Sequence, residues 1–467
     1  MELRLFNTFS REKEVFVPIE PGKVKMYACG VTVYDYVHIG NLRTYIFEDI
    51  LYRTLLLNGY EVLFVENITD VGHLVGDGSM GEDKIATGAA REGKSVWEIA
   101  EMYTRAYWSD MERLNILEPT LWCKATDHIQ EQINFIRLLE RKGFTYHTSD
   151  GIYFDTARLP DYGKLARLNI AGLEEGTRVE KNPERKNITD FALWKFSPPG
   201  TKRAMEWESP WGVGFPGWHI ECSAMSIKYL GEEFDIHCGG IDHIPVHHTN
   251  EIAQNEAAYG HTTVHYWLHG EFLRINEGRM GKSEGNAFTL ATLIEKGIDP
   301  LSYRYLTYSA HYRQLLNFTW EGLEAAGQAY RNLISRIAVL LGDELEAGDV
   351  AVDRRYFERF HAAVNDDLNM PQALAQVWEL VKDPAITPEV KLRTIEECDK
   401  ILGLDLLAKA WALKRAPVPE KVLELVLLRD KAREEKDWKE SDRIRLLIEA
   451  KGYIVKDTES GQQVVKR

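Results

Sequence analysis

The stretch MYACGVTVYDYVHIGNLR at residues 26–43 constrains the fold of this chain more than any other. Residues 24–29 are an apolar run of strand length. A turn follows, and His38-Ile39-Gly40-Asn41 opens a helix in which Ile46, Phe47, Ile50, Leu51, Leu55 and Leu56 recur at helical spacing until Gly59. EVLFVE at 61–66 is a second strand. Strand, helix and strand in this order form a βαβ unit, which implies a parallel sheet with right-handed crossovers. The strand-to-helix turn also aims backbone N–H groups and the positive end of a helix dipole at one point, an arrangement suited to phosphate. Taken alone, His38 reads equally well as a satisfied buried histidine, and Cys29 as a small apolar residue.

At 467 residues the chain is too long for one hydrophobic core, and roughly three domains are expected. A hydrophobic share of 44% is ordinary for a chain that buries such cores. The formal net charge of -15 excludes a surface coated throughout by nucleic acid but leaves room for a local basic patch. Residues 411–467 hold 14 Lys and Arg against 11 Asp and Glu, a net of +3, which leaves -18 on residues 1–410. A basic tail suggests RNA, although charged helices are more often plain solvated faces. Five cysteines without close-set pairs argue against a disulfide framework and for a reducing compartment. The opening MELRLFNTFSREKE is too charged for a signal peptide, and no run approaches about 18 apolar residues, so a soluble, cytoplasmic chain is expected.

Beyond the first βαβ unit, residues 72–93 lack a period and read as loop. Residues 95–114 read as a helix with Trp97, Ala100, Tyr103, Tyr107, Met111 and Leu114 along one side. Another amphipathic helix at 127–142 stops at Gly143, a hairpin strand occupies 151–154, and 207–218 is rich in turn residues. The sheet domain is therefore expected in two parts, 1–120 and 206–270, separated by an insertion at 121–205. Its second part holds a helix at 219–229, a strand at 234–237, a loop at 238–242 and a helix at 247–259. Residues 271–318 form a connecting region. Helical stretches at 323–341, 354–368 and 390–402, with one opened by Pro371, make a bundle at 319–410. RAPVP at 415–419 leads into the last unit, 411–467, with charged helices at 421–435 and 437–451 and short strands at 453–457 and 463–466.

Three further clusters carry groups capable of chemistry. GWHIECSAM at 217–225 supplies His219, Glu221 and Cys222. In FDIHCGGIDHIPVHHTNEIAQNE at 234–256, His243 with His247, and His247 with Glu251, stand at i, i+4 spacing, so either pair could share a metal from one helix face. His237, Cys238 and His248 compete, and spacing does not choose. RMGKSEGN at 279–286 places Lys282 in a small Gly- and Ser-containing loop, from which an ammonium can swing onto phosphate oxygens and neutralise developing charge. No Walker-type or dinucleotide-binding glycine pattern accompanies this loop, so ordinary P-loop folds lose ground.

Together the pieces resemble a known family. His38 to Asn41, followed about 240 residues later by RMGKS at 279–283, resembles the HIGH and KMSKS signatures of class I aminoacyl-tRNA synthetases. Within that class, YACGVTVYDYVHIG at 27–40, NITD at 67–70, PGWHIECSAM at 216–225, FDIHCGGID at 234–242 and HHTNEIAQ at 247–254 are similar to the cysteinyl-tRNA synthetases. The similarity runs nearly end to end and includes DWKESDRIR at 437–445.

The resemblance implies an α/β fold: a Rossmann-like parallel-sheet catalytic domain with an insertion, followed by an α-helical bundle domain and a small C-terminal anticodon-binding domain. It implies an ATP-dependent, AMP-forming cysteine ligase that acts as a monomer. ATP, with Mg2+, would convert L-cysteine to cysteinyl-adenylate, and the cysteinyl group would pass to the terminal adenosine of tRNA(Cys). One zinc ion is implied, held by Cys29, Cys222, His247 and Glu251, with Cys238, His243 and His248 left as structural residues. Zinc binds thiolate strongly, so a substrate cysteine joins it through sulfur where serine offers only a weakly acidic hydroxyl, and an editing step becomes unnecessary. By the same resemblance His38, Asn41 and Lys282 are catalytic, His38 and its helix N-terminus steadying the ATP phosphates and Lys282 the leaving pyrophosphate. Gly30, Thr32, Gly40, Thr69, Trp218, His219, Asp242, Arg279 and Ser283 complete the substrate-binding set, and the basic tail reads the anticodon end of the tRNA.

Three positions depart from the signatures: Asn41 replaces the last His of HIGH, Arg279 the first Lys of KMSKS, and Gly281 its first Ser. Asn still donates a hydrogen bond and Arg keeps the charge in a different geometry, so activity is expected. The stretch 70–84 is longer than the family spacing leads one to expect. Two other readings compete. A ligase joining activated cysteine to an amino sugar shares this catalytic domain but generally lacks a tail like 411–467. A non-catalytic paralogue is opposed by Lys282, His38 and the full set of zinc donors.

Overall fold

The computed structural model describes residues 1–71, 84–168, 183–198, 200, 203–275, 278–279, 287–342, 350–458 and 461–466. Lys282 and Ser283 lie outside the described residues, as does most of the stretch 70–84. The chain forms two compact units: 2–292 with 312–317, and 293–311 with 318–467 and Met1.

The first unit contains β1 (Arg4–Asn7), β2 (Glu12–Val15), β3 (Lys23–Ala28), α1 (Ile39–Leu57), β4 (Glu61–Ile68), α2 (Lys84–Glu92), α3 (Val96–Arg113), β5 (Leu121–Lys124), α4 (Ile129–Arg141), β6 (Thr145–Thr148), β7 (Gly151–Phe154), β8 (Phe191–Phe196), β9 (Gly214–Pro216), α5 (Trp218–Leu230), β10 (Phe234–Gly240), α6 (His247–Tyr259) and β11 (Val264–Gly270). Five strands form one parallel sheet in the order β11-β10-β3-β4-β5. The chain lays down β3, β4 and β5 in one direction, then returns to the other side of β3 for β10 and β11. Strand order thus reverses between β3 and β10, and the crevice at the carboxyl ends of strands flanking such a reversal is where open parallel sheets bind ligands. Cys29 directly follows β3, and Asp242 lies just beyond β10.

Several expectations change. The sheet takes the first four residues of the expected insertion: Val65 pairs with Leu121 and Ile68 with Lys124, because Cys123 buries its side chain beside Tyr27, Val65 and Met225. The insertion's own antiparallel sheet, β6-β7-β8-β9, ends at Pro216 rather than near residue 205. Ile133, Ile136, Ile152, Phe154 and Trp194 of this segment share a core with Ile220 of α5 and Ala253 and Ala257 of α6. Part of the expected loop at 72–93 is α2, whose Ile85 and Ala89 are buried one helical turn apart. Gly88 is a contact residue there rather than a breaker, because a Cβ would sit 3.2 Å from the Tyr34 carbonyl oxygen. In α3 the Ser95–Glu98 capping box starts the helix, and Val96 and Ile99 turn inward while Trp97 stays 48% exposed. β10 continues to Gly240 through the expected loop because its end is a central strand, with Cys238 opposite Leu268 and Gly240 opposite Gly270.

The second unit is helical, as its periodicity implies: Pro300–Thr307, Trp320–Leu340, Arg354–Asn365, Met370–Lys382, Pro388–Leu402 and Leu406–Arg415. Gly403 closes one of these helices in the left-handed conformation. Helices Glu420–Glu434 and Trp438–Ala450 and an antiparallel pair, Tyr453–Thr458 with Gly461–Lys466, gather a small core of Val422, Val426, Ile444, Ile448, Tyr453 and Val455. No helix among the described residues is long and apolar enough to cross a membrane.

Candidate active site and metal centre

The topological reversal opens into a cleft of about 230 Å³, lined by Cys29, Gly30, Thr32, His38, Asn41, Asn67, Thr69, Trp218, Cys222, Asp242, His243 and His247 among others. Its floor is built from three elements. Cys29 leaves the end of β3, Cys222 projects from α5, and His247 and Glu251 stand one turn apart at the start of α6. The Cys29 and Cys222 sulfurs are 3.9 Å apart, Cys29 Sγ is 3.8 Å from Glu251 Oε1, and His247 Nε2 is 3.0 Å from the same oxygen.

The remaining histidines surround this group. His237 Nε2 lies 2.9 Å from Glu251 Oε2, and His248 Nε2 lies 3.3 Å from Cys29 Sγ. His248 Nδ1 meets His269 Nε2 at 2.7 Å, and His269 Nδ1 meets the Thr8 hydroxyl at 2.8 Å. His219 Nδ1 is 3.0 Å from His247 Nδ1, and the Trp218 ring lies over His247 with centroids 4.4 Å apart. The donors therefore form two overlapping sets, each within 4.8 Å: Cys29, Cys222, His247 and Glu251, and Cys29, His237, His248 and Glu251. Thiolate, imidazole nitrogen and carboxylate are the donors zinc takes. The first set opens on the cleft through Cys29, Cys222 and His247, whereas His237 and His248 are fully buried and do not line it.

Electrostatics follow from this crowding. The hydrogen bond with Cys29 outweighs burial and lowers the Cys222 thiol to about 7, while burial pushes the Cys29 thiol well up. Burial works against charge on His247, yet the Glu251 carboxylate and Cys222 raise it to about 10. Burial also works against charge on Glu251, but His237 and His247 prevail and hold its carboxyl well below the usual range. The floor thus holds one lowered thiol beside a carboxylate, two of the anionic donors a metal takes, while a bound metal would displace the protons held by His247 and Cys29.

At the mouth of the cleft, His38 is the N-cap of α1, its Nδ1 accepting the Asn41 backbone N–H at 3.2 Å. A backbone N–H only donates, so the proton of the neutral ring sits on Nε2. The chain just beyond the 279–286 stretch is fastened to this cap: Ile39 N donates to Phe288 O at 2.8 Å, and His38 bridges Thr289. Arg43, one turn along α1, donates to the carbonyls of Glu271 at 2.9 Å and of Phe272 and Gln314 at 2.6 Å. Arg279 pairs through its backbone with Arg274 in a short hairpin.

Ten of the expected site residues line this one cleft, Glu251 lies behind the donors that do, Arg279 stands in the hairpin away from the lining, and Lys282 and Ser283 fall outside the described residues. His219 supports His247 and does not line the cleft, and Gly40 lies in the first turn of α1 without lining it. His237 and His248 press on Glu251 and Cys29, so His248 is more than a remote structural histidine. Arg43, Asn67, His269 and Thr8 received no role from spacing. Only Asn67 carried a signal, through NITD. All five cysteines are buried and unpaired.

A family model described as tRNA synthetases class I (C) catalytic domain matches residues 15–328. The chain is 53% identical over 465 residues to a protein named Cysteine–tRNA ligase 1 of Burkholderia lata, covering 99% of this chain and 97% of that one. It is 45% identical to Cysteine–tRNA ligase of Treponema denticola (98% of each chain) and 38% identical to that of Borrelia turicatae (99% of each). The fold is similar to Mycobacterium tuberculosis methionyl-tRNA synthetase in complex with methionyl-adenylate, with a TM-score of 0.56, 15% identity and coverage of 84% of this chain and 92% of that one.

Proposed function

The chain belongs to the cysteine–tRNA ligase family of class I synthetases, and on that premise we propose how its cleft divides the work of an ATP-dependent ligase. L-Cysteine is activated when its carboxylate oxygen attacks the α-phosphorus of ATP and the bond to pyrophosphate breaks. The cysteinyl group then passes to the terminal adenosine hydroxyl of tRNA(Cys), releasing AMP.

Cys29, Cys222, His247 and Glu251 would hold one zinc ion, which when bound supplies a soft electrophilic site that favours a thiolate over a hydroxyl. Trp218 and His219 fix the ring of His247, one by covering it and one by hydrogen bonding. Gly30, Thr32, Thr69 and Asp242, around the same cleft, receive the amino-acid head group and adenosine. At the mouth, the Nε2–H of His38 and the N-terminus of α1 at Gly40 and Asn41 stabilise the phosphates of ATP, which binds with Mg2+, and Lys282, with Arg279 and Ser283, takes up the charge of the leaving pyrophosphate. The C-terminal residues 411–467 read the anticodon end. Five buried thiols without a disulfide suit a reducing, cytoplasmic setting, with the enzyme acting as a monomer.

The observation that supports this reading most is the pairing, in one cleft, of soft metal donors on the floor with a capped helix N-terminus at the mouth. Cysteine-dependent exchange of pyrophosphate into ATP, followed by charging of tRNA, tests it. Exchange without charging would favour the amino-sugar ligase, and absence of exchange would sink both. Lys282→Ala is expected to slow exchange by about 10² or more while leaving bound zinc unchanged, as measured by exchange kinetics and metal analysis.

A further inference from the structure

We propose that Asn67 is a positioning residue for the substrate cysteine: its side-chain amide holds the Thr69 hydroxyl so that the hydroxyl proton is presented to the cleft. The inference rests on the reading of the cleft given above. Asn67 lies on β4, is 1% exposed and lines the cleft beside Thr69. Its orientation follows from its partners. The Gly30 backbone N–H donates to Oδ1 at 3.0 Å, so Nδ2 is the atom that donates to Thr69 Oγ1, also at 3.0 Å. The Cys222 thiol approaches the same Oδ1 at 3.8 Å.

Two consequences follow. One lone pair of the Thr69 hydroxyl is occupied by a donor that cannot turn away, so the hydroxyl cannot direct its own hydrogen to Asn67 and directs it elsewhere. Thr69 lines the cleft, where the group to be bound at the head of an amino acid is a carboxylate, an acceptor. A hydroxyl that already accepts one hydrogen bond also donates a stronger one. In addition, one amide touches the residue after Cys29, the sulfur of Cys222 and the head-group residue Thr69. It thereby ties the end of the cleft that grips sulfur to the end that grips the carboxylate. Backbone packing leaves little slack, because a Cβ at Gly30 would lie 1.8 Å from the Asn67 carbonyl oxygen.

The decisive variant is Asn67→Asp. A carboxylate still accepts from Gly30, but it offers Thr69 an acceptor, so Thr69 turns its hydrogen back and withdraws it from the cleft. Thr69→Val removes the hydroxyl outright. With the metal-loaded protein, calorimetric titration with L-cysteine in the absence of ATP is expected to show binding weakened about tenfold or more by either change. The double variant is expected to bind no more weakly than Thr69→Val alone, with metal content unchanged in all three. Asn67→Ala, which frees the hydroxyl without adding charge, is expected to weaken binding less than Asn67→Asp, and it keeps the test open should the aspartate variant fold poorly. Multiplicative losses in the double variant, or wild-type affinity in Asn67→Asp, would overturn the positioning role while cysteine-dependent exchange by the wild type stood. Failure of the wild type to bind cysteine or to exchange would instead overturn the reading of the cleft and this inference with it.

Discussion

On the proposed reading of the cleft, Cys222 is the residue where metal retention and amino-acid choice would meet. It lines the cleft, stands 3.9 Å from Cys29 and carries the lowered thiol of the pair. Cys222→Ser is expected to reduce zinc affinity and the preference for cysteine over serine together, each by on the order of 10², since even the partners of metal ligands are worth 10- to 100-fold. Metal analysis and exchange kinetics with both amino acids check this. Away from the metal, Glu66 offers a test of pH dependence. Burial raises its carboxyl from 4.5 to about 8, against the opposing hydrogen bond from the Tyr107 hydroxyl. Between those values the native protein keeps a proton that the unfolded chain has released, so stability falls as pH rises through the window. Glu66→Gln still accepts from Tyr107 but cannot ionise. It is expected to flatten this slope and to exceed the wild type in stability at pH 9 by on the order of a few kcal/mol, read by urea unfolding across the range.

Among the elements, α1 performs two tasks that substitutions can separate. His38 caps it, and the same ring faces the cleft. Asparagine caps helices at least as well as other residues and alanine poorly, the difference being about 1 kcal/mol. His38→Asn is therefore expected to retain wild-type thermal stability yet lose most ATP–pyrophosphate exchange, whereas His38→Ala should lose both. A loss of exchange confined to the alanine variant would reduce His38 to a cap. The helix was legible from its apolar spacing and from Gly59. Its further duty, anchoring residues 271–272 and 314 through Arg43, was not, because those carbonyls belong to backbone that reaches Arg43 only through the tertiary fold.

For the whole molecule, the central division lies between a first unit that holds every described cleft residue and a second, helical unit that ends in the basic tail with its own small core. Removing residues 416–467 is expected to leave cysteine-dependent exchange within about twofold of wild type and to lower charging of tRNA by about 10² or more. Charging by the full-length chain should weaken steeply with added salt, because basic contacts to phosphate release counterions. Equal charging by the truncated and full-length chains would deny the tail its role.

The sequence by itself determined the elements whose patterns are local: the βαβ unit, α6, the capped helices of the second unit, and the chemical types of the donors. Those features follow from spacing along one strand or helix, and short-range sterics decide them. The tertiary structure decided which donors meet. Spacing alone left His243 with His247 and His247 with Glu251 as equal pairs. The packing of α5 against α6, together with the hydrogen bond between Cys29 N and Cys238 O that joins β3 to β10, brings Cys222 and Cys29 to His247 and Glu251. It also brings His237 and His248 to the same atoms and places His219 behind the metal donors. Such contacts join residues far apart in the chain, so no window of sequence contains them. The physical reason is that local conformation is set by neighbours in the chain, whereas a site is set by side chains that converge only when the sheet and helices pack.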